Sequence, residues 1–197
     1  MKIILDGLDR SGKSTASLFI SKYYNIPNLG NLSKSKFRNE FTEFNVEQQN
    51  IYIQGITDAY LDIFYNMDSF VKDRGIVSTC VYEHLRNLEN NDPVLTVDLT
   101  NSLEEYLSSI SKNCNIKDFV FITLVCNYGT YVSRCLKTNE TPVTEYYFNL
   151  ERSLFSLCND YLYTQSKYNT IFVNTSFLCI EDVNEHLVSL LESRLLK

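Results

Sequence analysis

Tryptophan is absent from this chain of 197 residues, and proline (three), methionine (two) and histidine (two) are scarce. So little proline leaves no rigid Pro-rich linker, and with no internal repeat or low-complexity tract the chain reads as one domain. The six cysteines (Cys80, Cys114, Cys126, Cys135, Cys158, Cys179) lie far apart, with no C-x-x-C pair. Two histidines cannot complete the common zinc sets around them, so neither a zinc site nor a dithiol redox motif is supported. Scattered reduced thiols fit a cytoplasmic protein. No apolar run approaches the length of a membrane span, and the N-terminus is a strand with an acidic end, without the basic segment of a signal peptide. A formal net charge of −6 leaves no cationic excess for broad capture of nucleic acid. Neither nucleic acid nor membrane is therefore an expected partner, and any small anionic substrate must meet locally placed cations.

What is present begins at the first residues, MKIILDGLDRSGKST. An apolar strand (Ile3, Ile4, Leu5) runs into Gly7-x-x-x-x-Gly12-Lys13-Ser14, the pattern of a P-loop that opens a helix. Glycines at both ends let the backbone turn and approach phosphate closely, so that N–H groups point inward. The helix that follows adds its positive N-terminal end. Lys13 can reach the β- and γ-phosphates of a nucleoside triphosphate, and Ser14, or else Thr15, can place a hydroxyl on Mg²⁺. ATP with Mg²⁺ is the expected ligand.

Farther along, apolar runs alternate with helical patterns, the signature of a parallel α/β sheet. Five strands are predicted, at 2–6, near 26–29, and at 69–73, 118–125 and 170–174. The fourth is almost continuously apolar, as a central strand covered on both faces should be. Helices are predicted at 13–24, 46–66, 76–88, 97–111, 128–137, 143–166 and 180–195. The last carries Val183, Leu187, Leu190, Leu191 and Leu195 at helical spacing, with Glu181 and Asp182 in its first turn. Ile53, Ile56, Tyr60, Ile63 and Phe64 form a similar buried stripe. The polar stretches 28–39 and 137–145 read as site loops.

The wording Asp6-Gly7-Leu8-Asp9-Arg10-Ser11-Gly12-Lys13-Ser14-Thr15 resembles the P-loop of thymidylate kinases. Lys72-Asp73-Arg74-Gly75-Ile76-Val77-Ser78-Thr79 is similar to that family's Asp-Arg motif with its trailing small hydroxyl residues. Looser likenesses follow at Phe119-Val120-Phe121-Ile122 with Arg134, at Glu145 to Tyr161, and at Asn174-Thr175-Ser176. The resemblance implies a P-loop kinase fold over 1–197: three layers, α/β/α, on a five-stranded parallel sheet. An acceptor-side segment is expected at about 28–66 and a lid at about 134–145. Members of that family commonly pair through helices beside the sheet, which makes a homodimer an expectation.

The residues also carry chemistry of their own. Phosphoryl transfer needs positioning and positive charge around the moving group. Lys13 and Arg10 can supply that charge, and the resemblance implies that a basic residue at position 10 replaces a catalytic arginine in the lid. The nucleotide-binding set is then Gly7, Asp9, Arg10, Ser11, Gly12, Lys13, Ser14, Thr15 and Arg134. Ser14 and Asp73 are the candidate metal residues, Asp73 also a candidate for orienting the attacking oxygen. Asp9, Arg38 and Arg74 are the candidates for holding the acceptor, Asp9 through a sugar hydroxyl and Arg74 through a bidentate grip on phosphate. Lys34, Lys36 and Arg38 cluster where an anionic acceptor would enter, though such a cluster also suits a solvated face. Aromatics such as Phe37, Phe41, Phe44, Tyr52, Tyr60, Phe64 and Tyr65 could include a stacking platform for a base.

Two departures from the family pattern bear on the acceptor. An Arg-Glu-Pro-Gly segment after the second strand is replaced by Asn25-Ile26-Pro27-Asn28-Leu29-Gly30-Asn31. In the helix before the third strand, that family's Asn-Arg or Asp-Arg pair, which helps hold the base and phosphate, is replaced by Thr57-Asp58-Ala59-Tyr60. The expected activity is transfer from ATP·Mg²⁺ to a deoxynucleoside monophosphate, dTMP being the favoured acceptor. A deoxynucleoside kinase, a P-loop kinase acting on a modified base or a nucleic-acid end, and a nucleotide-binding module without turnover stay open as alternatives.

Overall fold

Strand β1 (Lys2–Gly7) is buried along its whole length, and its side chains divide between two separate cores. Ile4 joins one, while Ile3 and Leu5 join the other. A strand covered on both faces belongs inside a parallel sheet flanked by helices, and that is where the computed structural model places it. The structure describes residues 1–31, 46–89, 96–165 and 167–195. In the sheet, β2 (Phe70–Asp73), β3 (Phe119–Val125) and β4 (Asn169–Asn174) join β1 in the order β2-β1-β3-β4, every pairing parallel.

Among the described residues there are seven α-helices, α1 (Lys13–Tyr24), α2 (Val46–Asn66), α3 (Ile76–Glu89), α4 (Thr96–Ser111), α5 (Tyr128–Leu136), α6 (Glu145–Thr164) and α7 (Ile180–Leu195). Period-2 alternation along β3 separates them into layers. Phe119 and Phe121 meet α2 to α6 in the larger core, whereas Val120, Ile122 and Leu124 meet Ala16 and Ile20 of α1 and Val183, Leu187 and Leu191 of α7. The architecture is thus the expected α/β/α sandwich. Helix ends follow local chemistry: Asn127 caps α5 by accepting from the Thr130 N–H at 2.7 Å, and Thr144 caps α6 by accepting from the Tyr147 N–H.

The sheet has four strands among the described residues, not the five predicted. The segment near 26–29 makes a single bridge, Asn28 with Val71, held by Leu29 N–H to Val71 O at 2.9 Å and Val71 N–H to Pro27 O at 2.8 Å. Left-handed backbone at Asn25 (φ 52°) and Gly30 (φ 59°) turns the chain at both ends of it, so the pairing cannot extend. Asn and Gly are the residues that most readily take this backbone, so the limits of the segment lie in its own flanks.

Parallel pairing carries the C-terminal ends of β1, β2 and β3 to one edge, with Leu5 level with Asp73 and Gly7 level with Leu124. Loops after those strands therefore converge, as ligand sites in open α/β sheets do.

Candidate active site

Gly7 leaves β1 with φ 127°, and a Cβ there would overlap the Leu124 carbonyl of the neighbouring strand. Only glycine fits so close to backbone. Gly12 has open space but φ 99°, a conformation that L residues rarely adopt, and it opens α1. The loop between them is drawn inward: the Ser11 hydroxyl donates to Leu8 O at 2.7 Å, and the Lys13 ammonium reaches back to the same carbonyl at 2.5 Å. Lys13 is buried. Burial, and next the nearby Arg74 cation, lower its pKa to about 8 against the opposing pull of Asp9, Asp73 and Glu151. A cation held with so little solvation is primed for an anion in front of it.

Alternation along β2 puts Val71 in the α1–α7 core and sends Asp73, two residues on, toward the same layer. There the Ser14 hydroxyl, in the first turn of α1, donates to Asp73 Oδ2 at 2.6 Å. Asp73 is buried, and its Oδ1 has no hydrogen-bond partner among the described residues. A buried, unpartnered carboxylate oxygen beside a hydroxyl is a vacancy in hydrogen bonding that a hard cation would fill. Mg²⁺, which takes one or two protein oxygens and completes its shell with water and phosphate, fits this pair. No group of three or more metal-ligating side chains occurs among the described residues, which does not suit zinc.

The opposite face of the strands holds the other half. Asp6, on the Ile4 side of β1, accepts from the backbone N–H of Gly75 at 2.8 Å and of Ser78 at 3.0 Å, and from the Ser78 hydroxyl at 2.5 Å. It ties β1 to the start of α3, while burial raises its pKa. Ser78 thereby serves as a structural partner of Asp6 and Thr79 bonds Gly75 O at 3.2 Å. Arg74, between β2 and α3, has φ 64°; its guanidinium donates to Asp9 and lies over the Tyr82 ring, 5.0 Å from the centroid. The Tyr82 hydroxyl donates to Glu151 of α6 at 2.7 Å.

Arg10 stands at the loop tip in left-handed backbone (φ 60°) and forms an ion pair with Glu140, its Nε donating to Oε2 at 3.0 Å. Glu140 lies in the short connection 137–144 between α5 and α6, where the lid was expected. Arg134, on α5, is a clamp: it donates to Arg10 O at 2.7 Å, to Thr175 Oγ1 at 3.1 Å and to Thr175 O at 3.0 Å. Arg10, Lys13, Ser14, Asp73, Arg74, Tyr82, Arg134 and Glu140 border one cleft of about 1230 Å³, which Tyr52, Tyr60 and Lys137 also line.

Of the residues singled out from sequence, the structure gathers Asp9, Arg10, Ser11, Gly12, Lys13, Ser14, Thr15, Asp73, Arg74 and Arg134 at the cleft, with Gly7 beneath it. Arg38, Lys34, Lys36, Phe37, Phe41 and Phe44 lie outside the described residues. Phe64, offered as a stacking candidate, is buried in the larger core instead. Asp6, Tyr82, Glu140, Glu151 and the Arg134–Thr175 clamp were not anticipated. Lys72 was quoted only as part of a motif, yet it is wholly buried, donates to Gly30 O at 2.5 Å and lies over the Tyr60 ring. It anchors the chain at Gly30, just after the bridge at Asn28.

Comparison with solved structures decides the fold. A deoxyadenosine kinase from M. mycoides with bound dATP superposes with a TM-score of 0.69 at 20% identity, covering 98% of this chain and 100% of that one. A thymidylate kinase from Candida albicans gives 0.63 at 15% identity, covering 98% and 91%. Shikimate kinase from Aquifex aeolicus gives 0.56 at 19% identity, covering 100% and 99%. The chain has the P-loop kinase fold. No protein-family model matches the sequence, and no curated protein matches it significantly. Within this P-loop kinase fold the site sits at the expected end of the sheet. No helix among the described residues is long and apolar enough to cross a membrane.

Proposed function

We propose that the protein is an ATP-dependent phosphotransferase that moves the γ-phosphoryl group of ATP·Mg²⁺ onto a deoxynucleoside monophosphate, dTMP being the favoured acceptor. The observation that carries this reading is the meeting of two charged arms across one cleft. Lys13, Ser14 and Asp73 form the donor side, and Arg74 with Asp9 forms the acceptor side a few side chains away.

On the donor side, Ser14 and Asp73 would hold Mg²⁺, which when bound neutralises charge on the β- and γ-phosphates. Lys13 meets the same phosphates from within the loop. Arg10 brings a further cation to the tip, where transferring charge must be stabilised. The 137–144 connection, through Glu140, closes against that tip and helps to exclude water. On the acceptor side Arg74 presents a planar fork suited to a phosphate, and Asp9 can accept a hydrogen bond from a sugar hydroxyl. Tyr52, which lines the cleft, offers a ring to a base.

The likeness to a deoxyadenosine kinase supports a second reading, transfer to the hydroxyl of an uncharged deoxynucleoside. A cation as deeply set as Arg74 favours the phosphorylated acceptor. ATP consumption against a panel of nucleosides and nucleoside monophosphates tests the choice. Turnover with a monophosphate is expected; turnover with nucleosides alone would overturn the first reading, and tight ATP binding without any turnover would leave a binding module.

A further inference from the structure

Glu151 is an expensive residue to bury. It lies on α6 with 6% of its surface exposed, far from the phosphate-binding loop in sequence, and no motif marks it. A carboxylate taken out of water needs partners to offset its lost solvation. The Tyr82 hydroxyl is such a partner, donating to Oε1 at 2.7 Å. Tyr82 in turn supports Arg74, whose guanidinium carbon lies 5.0 Å from the ring centroid.

We propose that Glu151, acting through Tyr82, is a positioning residue for Arg74 and so sets the affinity of the site for a phosphorylated acceptor. The proposal rests on the acceptor role given to Arg74 above and deepens it. Four elements then share the work: the P-loop through Asp9, the end of β2 through Arg74, α3 through Tyr82, and α6 through Glu151.

The two ends of this chain of contacts are unequal. Asp9 is 56% exposed in its side chain, and an ion pair with so exposed a partner fixes little by itself. Arg74 also sits in left-handed backbone at φ 64°, a conformation that surrounding structure must hold in a residue with a side chain. The Arg74 N–H to Leu5 O and the Gly75 N–H to Asp6, both at 2.8 Å, hold that backbone, and the buried Tyr82–Glu151 end orients the side chain beyond it. A phenol that donates to a carboxylate gains electron density in its ring, which strengthens attraction to a cation on the face. Guanidinium carries five N–H donors, so a ring beneath it and Asp9 at one edge leave donors for an incoming phosphate.

The test is steady-state kinetics on the full chain with ATP and dTMP, or the monophosphate that the panel identifies. Glu151→Ala should raise the acceptor KM about tenfold, with the ATP KM and kcat changed by less than about threefold. Glu151→Gln, which still accepts from the phenol, should lose less, and Tyr82→Phe should resemble the alanine variant. In an Arg74→Ala background Glu151→Ala should add nothing. An undiminished effect in that background, or an equal rise in the ATP KM, would show a merely structural tie and overturn the proposal. If Arg74→Ala raises the acceptor KM and neither Glu151→Ala nor Tyr82→Phe does, this inference alone fails. If Arg74→Ala leaves it unchanged, the acceptor role of Arg74 fails first. Should Glu151→Ala not fold, Tyr82→Phe and Glu151→Gln carry the same comparison.

Discussion

The proposed donor and acceptor sides of the cleft are built by different means. On the donor side backbone does most of the shaping: Gly7 pressed against Leu124, Gly12 in left-handed backbone, Ser11 and Lys13 folded back onto Leu8 O. On the acceptor side, side chains from distant elements do it: Arg74 on Asp9 and Tyr82, Tyr82 on Glu151, Lys72 on Gly30. A backbone-built site accepts any triphosphate and tolerates little change in sequence. A site built from side chains can be retuned for another acceptor by a few substitutions, so the reaction class is more firmly written here than the substrate.

The largest effect should come from the donor side. Lys13→Ala should reduce transfer about a thousandfold or more with every acceptor, since it is the cation folded back onto the loop at Leu8 O; single-turnover measurement checks it. Asp73→Asn should cost about a hundredfold and raise the Mg²⁺ concentration needed for half-maximal rate. A variant with undisturbed Mg²⁺ dependence would remove Asp73 from the metal. Both losses should be blind to the acceptor.

The same contrast explains what could be read in advance. Gly7 to Ser14 and Asp73-Arg74 were legible because their chemistry lies in adjacent residues, and the order strand, loop, helix is itself the mechanism. The helices were legible too, because burial on one face imposes a period. Arg134 was visible as a cation after β3, but its clamp joins residues 124 and 41 positions away. Glu151 meets Tyr82 across 69 positions; its place among Phe148, Leu154, Phe155, Cys158 and Leu162 on the buried face of α6 was a readable sign of burial, but nothing local named its partner. Long-range polar pairing leaves no local trace, and the acceptor side consists largely of it.

The acceptor side should respond selectively. Arg74→Ala should raise the KM of a monophosphate acceptor by about tenfold to a hundredfold, the loss of charge-assisted hydrogen bonds, and should barely change that of an uncharged nucleoside. Equal loss with both would contradict a phosphate grip. Smaller again is the expected effect of Arg134→Ala: it frees Arg10 O and Thr175, so the melting temperature should fall on the order of 5 °C. If calorimetry shows no change, the clamp is not holding the loop.

The subtlest difference concerns protons. Unliganded Lys13 has its pKa lowered to about 8, chiefly by burial, so near pH 8 about half of it is neutral. Phosphate in the loop favours the charged form and should draw the pKa back up. ATP binding at pH 8 should therefore take up a fraction of a proton, seen by titration calorimetry in buffers of different ionisation enthalpy. At pH 6.5 Lys13 is already charged, and its uptake should vanish. Subtracting the Lys13→Met variant removes the titration of the nucleotide itself. The sign is fixed by linkage: an unfolded lysine keeps its ordinary, higher pKa, so between about 8 and that value the unfolded chain binds more protons. In that window Lys13 makes the unliganded fold gain stability as pH rises, whereas the ATP complex should lose most of that dependence. Lys72, also lowered to about 8 by burial, shares the first trend but bonds Gly30 O on the acceptor side and should be indifferent to ATP. Proton uptake that survives in Lys13→Met and disappears in Lys72→Met would move the titrating cation from the donor half to the acceptor half.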